Sequence, residues 1–201
     1  MQTPQLHGPN VRLDMLEPDS LPEILCLAVA EPELWTHIPY PMRDAADVTR
    51  AVELMLALRA RGEALPFTTR LTHSNELVGG TSIWFIDPKL PVVEIGGTWL
   101  RTSYQGTYVN TEAKLLQLGF CFDTLACARV ELKTDERNAQ SRNALSAIGA
   151  TFEGIRRQHM RRADGSLRDS AVFSVVQHEW PRIRAHLTAR RDRLVSLSEQ
   201  A

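Results

Sequence analysis

The residues between Thr98 and Glu112 form a predicted strand, a short loop and a helix start, an arrangement suited to anion binding. The start of this segment is typical of a buried strand, Gly106 permits a turn, and helical spacing of apolar residues is clear from Thr111 onward. The first N–H groups of a helix lack partners within the helix, and the helix dipole attracts negative charge to them. The loop that starts at Gln105 is therefore a candidate phosphate site, although many such joints bind nothing.

A second polar pair, Asn138 and Ser141, follows a short predicted strand further along the chain. Asn138 is placed to cap the next helix, and Ser141 lies one turn later on the same helix face. Two short polar side chains beside a strand end can hydrogen-bond the amide or thiol group of a ligand. The same residue types are typical of an ordinary helix start, so this pair alone does not indicate a reaction.

The elements that must position these residues follow from the hydrophobic periodicity, which predicts the order β-α-α-β-β-β-α-β-α-β-β-α. Runs of consecutive strands combined with crossover helices predict an α/β fold whose sheet is partly antiparallel, rather than a doubly wound sheet. The predicted elements are 11–15, 20–30, 44–61, 67–72, 76–86, 92–100, 111–126, 128–133, 138–148, 151–162, 168–177 and about 181–197.

Composition excludes several classes of protein. The 201 residues include 23 basic and 24 acidic ones, and a net charge of −1 gives no general attraction to nucleic acid or to an anionic membrane. Three cysteines without CxxC spacing predict neither a disulfide framework nor a metal cluster. The start of the chain lacks the pattern of a signal peptide. We therefore expect a cytoplasmic protein with one domain over 1–201 and no metal, nucleic-acid or membrane partner.

Taken together, the two polar segments resemble the GNAT N-acetyltransferases, within them the RimJ/RimL-type branch that includes ribosomal-protein acetyltransferases. The resemblance covers roughly residues 10–180 and implies one GNAT-like domain. It implies an α/β fold with a mixed, largely antiparallel sheet, flanking helices and splayed central strands. The motifs that carry it are Glu94-Ile95-Gly96, Tyr104-Gln105-Gly106-Thr107, Thr111-Glu112-Ala113, Asn138-x-x-Ser141 and Ile148-Gly149-Ala150.

The resemblance implies transfer of an acetyl group from acetyl-CoA, as co-substrate, to a primary amine of a protein N-terminus or a small molecule. It implies that the pantetheine arm lies between the splayed strands, bonded to the backbone of Trp99 and Leu100 and met by Asn138. It also implies an amine site walled by the segment that contains Trp35 and Tyr40. The loop implied to hold the pyrophosphate consists of Gln105, Gly106, Thr107, Tyr108, Val109, Asn110 and Thr111.

Three positions bear on how well this chain matches the family. Tyr108 and Asn110 stand where the family loop has small residues, and a positive φ at Tyr108 would strain the backbone and weaken pyrophosphate binding. Leu145 stands where many members have a tyrosine that protonates the departing thiolate. Ser141, one helical turn earlier, is the candidate to stabilise that thiolate, or it only hydrogen-bonds the pantetheine arm.

Glu94 is the candidate general base, because an amine must lose a proton before it attacks a thioester. It lies on the strand that is expected to face the pantetheine gap, and the alternative is an exposed strand carboxylate. An arginine-rich strand around His159 offers a further charged surface. Alternation places Arg157 and Arg161 with His159 on one face, and Arg156 on the other.

Two other functions stay open. One is a non-catalytic acyl-CoA-binding or regulatory module, and the other is a transferase that uses another acyl donor, such as succinyl-CoA, recognised by an arginine near the pocket. An exposed strand or the last helix can pair with a second copy, so a homodimer is a further expectation.

Overall fold

The structure is a computed structural model that describes residues 4–38, 41–87 and 90–200, and its elements follow the predicted order with one short strand added at the start. The strands are β1 (Leu6–His7), β2 (Val11–Met15), β3 (Ala64–Leu71), β4 (Leu77–Asp87), β5 (Val92–Leu100), β6 (Arg129–Asp135), β7 (Thr151–Arg161) and β8 (Leu167–Val176). The helices are α1 (Leu21–Ala30), α2 (Ala45–Ala60), α3 (Tyr108–Gly119), α4 (Ala139–Ala147) and α5 (Trp180–Ser198).

The strands form one eight-stranded sheet in the order β1-β2-β3-β4-β5-β6-β8-β7. Every neighbouring pair is antiparallel except β5 and β6, which are parallel. The ladder between β5 and β6 joins Val92–Ile95 to Arg129–Leu132 and then stops, although both strands continue. The strands therefore diverge toward their carboxyl ends, which confirms the mixed, largely antiparallel sheet with splayed central strands.

The two faces of the sheet are covered differently. One face is the core face, where Val93, Val130 and Phe173 share a cluster with apolar residues of α3, α4 and α5. On the other face, α1 and α2 pack against the β2–β4 side. We call the remainder of that face, formed by β5, β6, β8 and β7, the open face, and the short helical turn Pro32–Trp35 lies against β5.

Helix α3 differs from its predicted bounds, because it begins at Tyr108 rather than 111 and gives way to a π-helical turn, Phe120–Thr124. Thr107 caps the helix, since its Oγ1 accepts a hydrogen bond from the N–H of Val109 at 3.3 Å. Val109 is fully buried, so its packing extends the helix at the start.

The alternation predicted for the arginine-rich strand is wrong at His159. The ladder between β7 and β8 shifts between Arg156 and Met160, and Gln158 has a φ of 48°. Three residues of β7 therefore oppose one residue of β8, and His159, which lies inside this bulge, departs from the simple alternation. As a result Arg156 Nη1 donates to His159 Nε2 at 3.0 Å, so the two side chains share a face.

None of the helices in the described part of the chain combines the length and the apolar character that a membrane span requires.

Candidate functional site

A β-bulge shapes the gap between the splayed strands. The register of β5 against β4 shifts between Gly80 and Ser82, and Gly97 has a φ of 60°, a conformation that glycine adopts without strain. Beyond Ile95 the backbone of β5 has no ladder partner in β6 within the described residues. The structure thus places Trp99 and Leu100 at the edge of this gap, where polar groups of an extended ligand can pair with the strand.

The loop that follows β5 presents backbone donors at the start of α3. Gly106 has a φ of 75°, and the space where a side chain would lie at that position is open. Among the described residues, no hydrogen-bond partner is found for the N–H groups of Gly106, Thr107 and Tyr108. Three consecutive unpartnered donors at the N-terminus of a 12-residue helix are suited to binding an anion.

Tyr108 does not strain this loop. It is the first residue of α3, and the described non-glycine residues with positive φ are Asn75, Ala126 and Gln158. The strain considered for Tyr108 is therefore absent, because its backbone is helical. Its ring packs against the core, and this burial raises the pKa of its hydroxyl.

The side chain of Gln105 fastens this loop at both sides of the gap. Its Nε2 donates to the carbonyl of Leu100 at 2.9 Å, and its Oε1 accepts from Gln140 Nε2 at 2.7 Å. Because Gln140 belongs to α4, the side chain of Gln105 links the end of β5 to the helix across the gap. The sequence motif places Gln105 in the implied pyrophosphate loop, and no local pattern indicates this link to α4.

The start of α4 confirms the helix cap predicted at Asn138, whose Oδ1 accepts from the N–H of Ser141 at 2.9 Å. The half-buried Ser141 hydroxyl has no hydrogen-bond partner among the described residues and is free to contact a ligand. Leu145 lies in the core cluster with Ile148, so it takes part in packing.

Charged side chains cover the open face beside the gap. Glu94 lies on β5 and pairs with Lys133 of β6, with 2.8 Å between Oε2 and Nζ. Lys133 also lies 3.4 Å from Glu131, the residue opposite Glu94 in the ladder. Arg129 pairs with Glu131 and also donates hydrogen bonds to Glu153, and this contact lowers the pKa of Glu153 to about 2. Glu94 is thus a paired carboxylate on the face that borders the gap.

The predicted wall residue Trp35 is buried beside the end of β5. Its ring centroid lies 5.0 Å from that of Trp99, with the planes inclined by 59°. Glu31 holds this segment in place, because its carboxylate accepts from Arg101 Nε at 2.9 Å and from the N–H of Thr102 at 2.7 Å. Tyr40, the other residue predicted for this wall, lies outside the described residues.

Two further side chains of the open face were not among the predicted site residues. His159 Nδ1 lies 3.1 Å from Ser170 Oγ, and burial together with the nearby Lys133 lowers its pKa. Arg168 lies in β8 and is nine-tenths buried. The alternation of Arg168 with the buried apolar residues of β8 is visible in the sequence, but the bulge that turns His159 to this face is not.

The comparisons with known proteins agree with this architecture. A family model described as acetyltransferase (GNAT) domain matches residues 10–151, more than half of the chain. "Uncharacterized N-acetyltransferase p20" of Bacillus licheniformis is 24% identical over 159 residues, which cover 79% of this chain and 88% of that protein.

Two solved structures show the likeness in three dimensions. A GCN5-related N-acetyltransferase from Brucella melitensis has a TM-score of 0.84 and 27% identity, covering 94% of this chain and 86% of that one. Mycobacterium smegmatis RimJ, solved in complex with CoA-disulfide, has a TM-score of 0.81 and 22% identity, covering 94% and 95% of the two chains. At 22% identity, the likeness to RimJ concerns the fold.

With these matches, the fold and the site define an acyltransferase that depends on acetyl-CoA. The chain belongs to the GNAT acetyltransferase family. The family and the enzyme class predicted from the sequence are therefore confirmed.

Proposed function

We propose that this protein transfers the acetyl group of acetyl-CoA to a primary amine by direct attack, and that the amine approaches from the open face. The observation that carries the proposal is the row of unpartnered N–H groups at Gly106, Thr107 and Tyr108, beside two strands that separate after Ile95. The anion site and the gap are adjacent, as a ligand with a pyrophosphate and an extended amide-bearing arm requires.

The residues present fit acetyl-CoA. The pyrophosphate is held by backbone N–H groups of the loop from Gln105 to Thr111, which includes Val109 and Asn110 in the first turn of α3. The pantetheine arm lies along Trp99 and Leu100, where β5 has no ladder partner on the β6 side. The Nδ2 group of Asn138 remains to contact this arm, because its Oδ1 already caps α4.

Two side chains are assigned roles in the reaction, Glu94 as the general base and Ser141 as a hydrogen-bond donor to the thiolate. Glu94, acting directly or through water, takes the proton from the amine before attack on the thioester carbonyl carbon. The nitrogen bonds to that carbon, the carbon–sulfur bond breaks, and the remaining surplus proton of the nitrogen passes to water. The Ser141 hydroxyl stabilises the departing thiolate by a hydrogen bond. Support for these roles is the position of Glu94 beside the gap and the free hydroxyl of Ser141 at the start of α4.

The acceptor is an amine of a protein N-terminus or of a small molecule, and Trp35 forms part of its wall. A ribosomal-protein N-terminus is one candidate acceptor, because the sequence motifs resemble those of the RimJ/RimL-type branch. A strained Tyr108 would have weakened cofactor binding and so favoured a non-catalytic module. Its backbone is not strained, so Tyr108 does not support that alternative.

The test removes one backbone donor and leaves the helix intact. Proline is tolerated at the first position of a helix, and Thr107 has the extended backbone, with φ −89° and ψ −174°, that a following proline requires. Tyr108→Pro therefore deletes one N–H group, and Tyr108→Ala is the matched control that loses the ring and keeps the donor. Calorimetric titration with acetyl-CoA and CoA is expected to show binding to Tyr108→Ala that is about tenfold tighter than to Tyr108→Pro.

Equal affinity of the two variants would contradict the role of this loop. Absence of binding to the wild-type chain would contradict the proposed function as a whole. With binding established, release of free CoA thiol in the presence of a panel of amines separates transfer from simple binding, and succinyl-CoA in place of acetyl-CoA tests the other donor.

A further inference from the structure

Arg168 stands out on the open face because its side chain is almost fully buried and, among the described residues, no carboxylate pairs with it. It is 6% exposed, and its Nε has no hydrogen-bond partner among the described residues. Within the described ranges, no carboxylate lies within 4.0 Å of its guanidinium. Other cations near this face do pair with carboxylates, namely Lys133 with Glu94 and Glu131, and Arg162 with Asp135. Burial accordingly lowers the pKa of Arg168.

The acidic groups nearest to Arg168 already have other partners. Asp135 accepts from Arg162 Nε at 2.6 Å and from its Nη2 at 3.2 Å. Glu94 is paired with Lys133. Both carboxylates favour the charged form of Arg168 from a distance, and neither contacts it. A buried cation without a direct partner is costly, so a site of this kind is incomplete until an anion enters it.

The strand register places Arg168 at the splayed end of the sheet. The ladder between β6 and β8 ends where Asp135 faces Ser170. Arg168 lies two residues before Ser170, toward the start of β8 and beyond the end of this ladder. At this level β6 has already diverged from β5. Alternation along β8 puts Arg168 on the face opposite the core residues Ala171 and Phe173, so its side chain belongs to the open face.

The surroundings of His159 link Arg168 to the rest of the open face. Its pKa is lowered by burial first and then by Lys133, Arg156 and Arg168. Lys133 is the partner of Glu94, so the unpaired guanidinium and the carboxylate that borders the gap belong to one charged surface.

We propose that Arg168 binds a carboxylate group of the amine acceptor and thereby selects acceptors that carry an amine and a carboxylate together. The planar guanidinium offers parallel N–H donors that match the two oxygens of a carboxylate. This inference rests on the proposed function, since it names the class of acceptor for the same site. The carboxylate comes either from a free amino acid or from an acidic side chain near a peptide N-terminus.

The experiment compares acceptors that differ by one charge. Acetylation is measured with L-phenylalanine against L-phenylalaninamide, and with peptide amides that begin Ser-Asp against those that begin Ser-Asn. The wild-type chain is expected to favour the acidic member of one pair by about ten- to a hundredfold in kcat/KM. A preference in the first pair indicates a small molecule, and a preference in the second pair indicates a peptide.

Arg168→Gln is expected to abolish this preference, because kcat/KM for the acidic member falls to that for the neutral member of the pair. Arg161→Gln is the matched control, because Arg161 is exposed at the end of β7 and its side chain donates to the carbonyl of Gly165. If Arg168→Gln does not fold, Arg168→Lys, which keeps the charge and loses the parallel donors, is expected to lose most of the preference. A wild-type chain without preference in either pair, or a preference retained in the Arg168 variant that folds, would overturn the proposal.

Calorimetric titration of the same four acceptors in the presence of CoA separates this proposal from the proposed function. A chain that binds the acidic acceptors through Arg168 and transfers no acetyl group contradicts the proposed function and supports the carboxylate site. A chain that acetylates both members of each pair equally supports the proposed function and contradicts the carboxylate site.

Discussion

Glu94 and Glu131 face each other across the β5–β6 ladder, and both lie near the ammonium group of Lys133. Their separations from Lys133 Nζ are 2.8 Å and 3.4 Å, so the two carboxylates share one cation. They lie on different strands, Glu94 on β5 and Glu131 on β6. Glu94 comes before the bulge of β5, where that strand leaves the ladder. Two residues of one chemical type can therefore be compared directly for a role in proton transfer.

Glu94→Gln tests the general base. The substitution keeps the size of the side chain and removes its basicity, so kcat is expected to fall by about a hundredfold or more at pH 7. The loss is expected to shrink as the pH approaches the pKa of the acceptor amine, because solvent then supplies the free amine. The measurement is the pH profile of kcat for the wild-type and variant chains.

Glu131→Gln is the control for Glu94→Gln, because it also removes a carboxylate from Lys133. It is expected to retain far more of the activity, with no recovery at high pH. Equal losses in the two variants would indicate that both residues only position Lys133, and Glu94 would not be the base.

Helix α3 begins at the proposed phosphate site, and buried contacts along the helix hold that end in place. Glu112 is fully buried and accepts hydrogen bonds from the N–H groups of Asn10 at 2.8 Å and Val11 at 2.9 Å, which ties the helix to β2. One turn beyond the proposed phosphate loop, Lys114 Nζ donates to Thr98 Oγ1 of β5 at 2.8 Å. These contacts fix the direction of the N–H groups at the start of the helix.

Lys114→Met tests the charge state inside α3. The ammonium group of Lys114 is buried among neutral acceptors, and burial lowers its pKa to about 7 from 10.5. Between these values the unfolded chain binds more protons than the folded chain, so the free energy of unfolding rises with pH. Below pH 7 both states are protonated and this dependence ends.

The measurement is urea denaturation of the wild-type chain and Lys114→Met at several pH values from 6 to 9. Relative to the variant, the wild-type chain is expected to gain up to about 1.4 kcal/mol for each pH unit above 7. A difference between the two chains that does not change with pH would show that Lys114 remains charged in the folded protein.

At the scale of the whole molecule, the core face and the open face have different roles. Helix α5 packs on α3 across the core face, with Trp180, Ile183 and Leu187 buried there. The open face instead carries the charged groups of the site. The expectations of one domain over 1–201 and of a homodimer stay predictions.

Leu187→Ala tests how much the last helix contributes to stability. Leu187 is fully buried in the core cluster, so its truncation is expected to lower the free energy of unfolding by about 2–5 kcal/mol. Leu197→Ala, on the same helix at an exposed position, is the control and is expected to change it by less than about 0.5 kcal/mol. Thermal or urea denaturation measures both, and similar effects of the two substitutions would contradict this account of α5.

The order of the elements and several of their boundaries could be predicted from local sequence. β5 was predicted over 92–100 and lies at Val92–Leu100, because its apolar and polar residues alternate and turn residues flank it. The cap at Asn138 and the glycine at position 149, with a φ of 87°, were predictable for the same local reason. The start of α3 was not, because the packing of Val109 extends the helix beyond its clear periodicity.

Local sequence was enough to predict the family and to nominate the loop at Gln105–Thr111 and the pair Asn138 and Ser141 as candidate ligand contacts, because these features depend on residues close together in the chain. Which charged groups meet on the open face depends instead on how distant strands pair. Glu94, Lys133 and Arg168 come from three strands whose register no local pattern specifies, and the bulge near Gln158 takes His159 out of the simple alternation. Pairing between distant segments leaves Arg168 buried with no carboxylate paired to it among the described residues, a property that depends on every neighbouring strand at once.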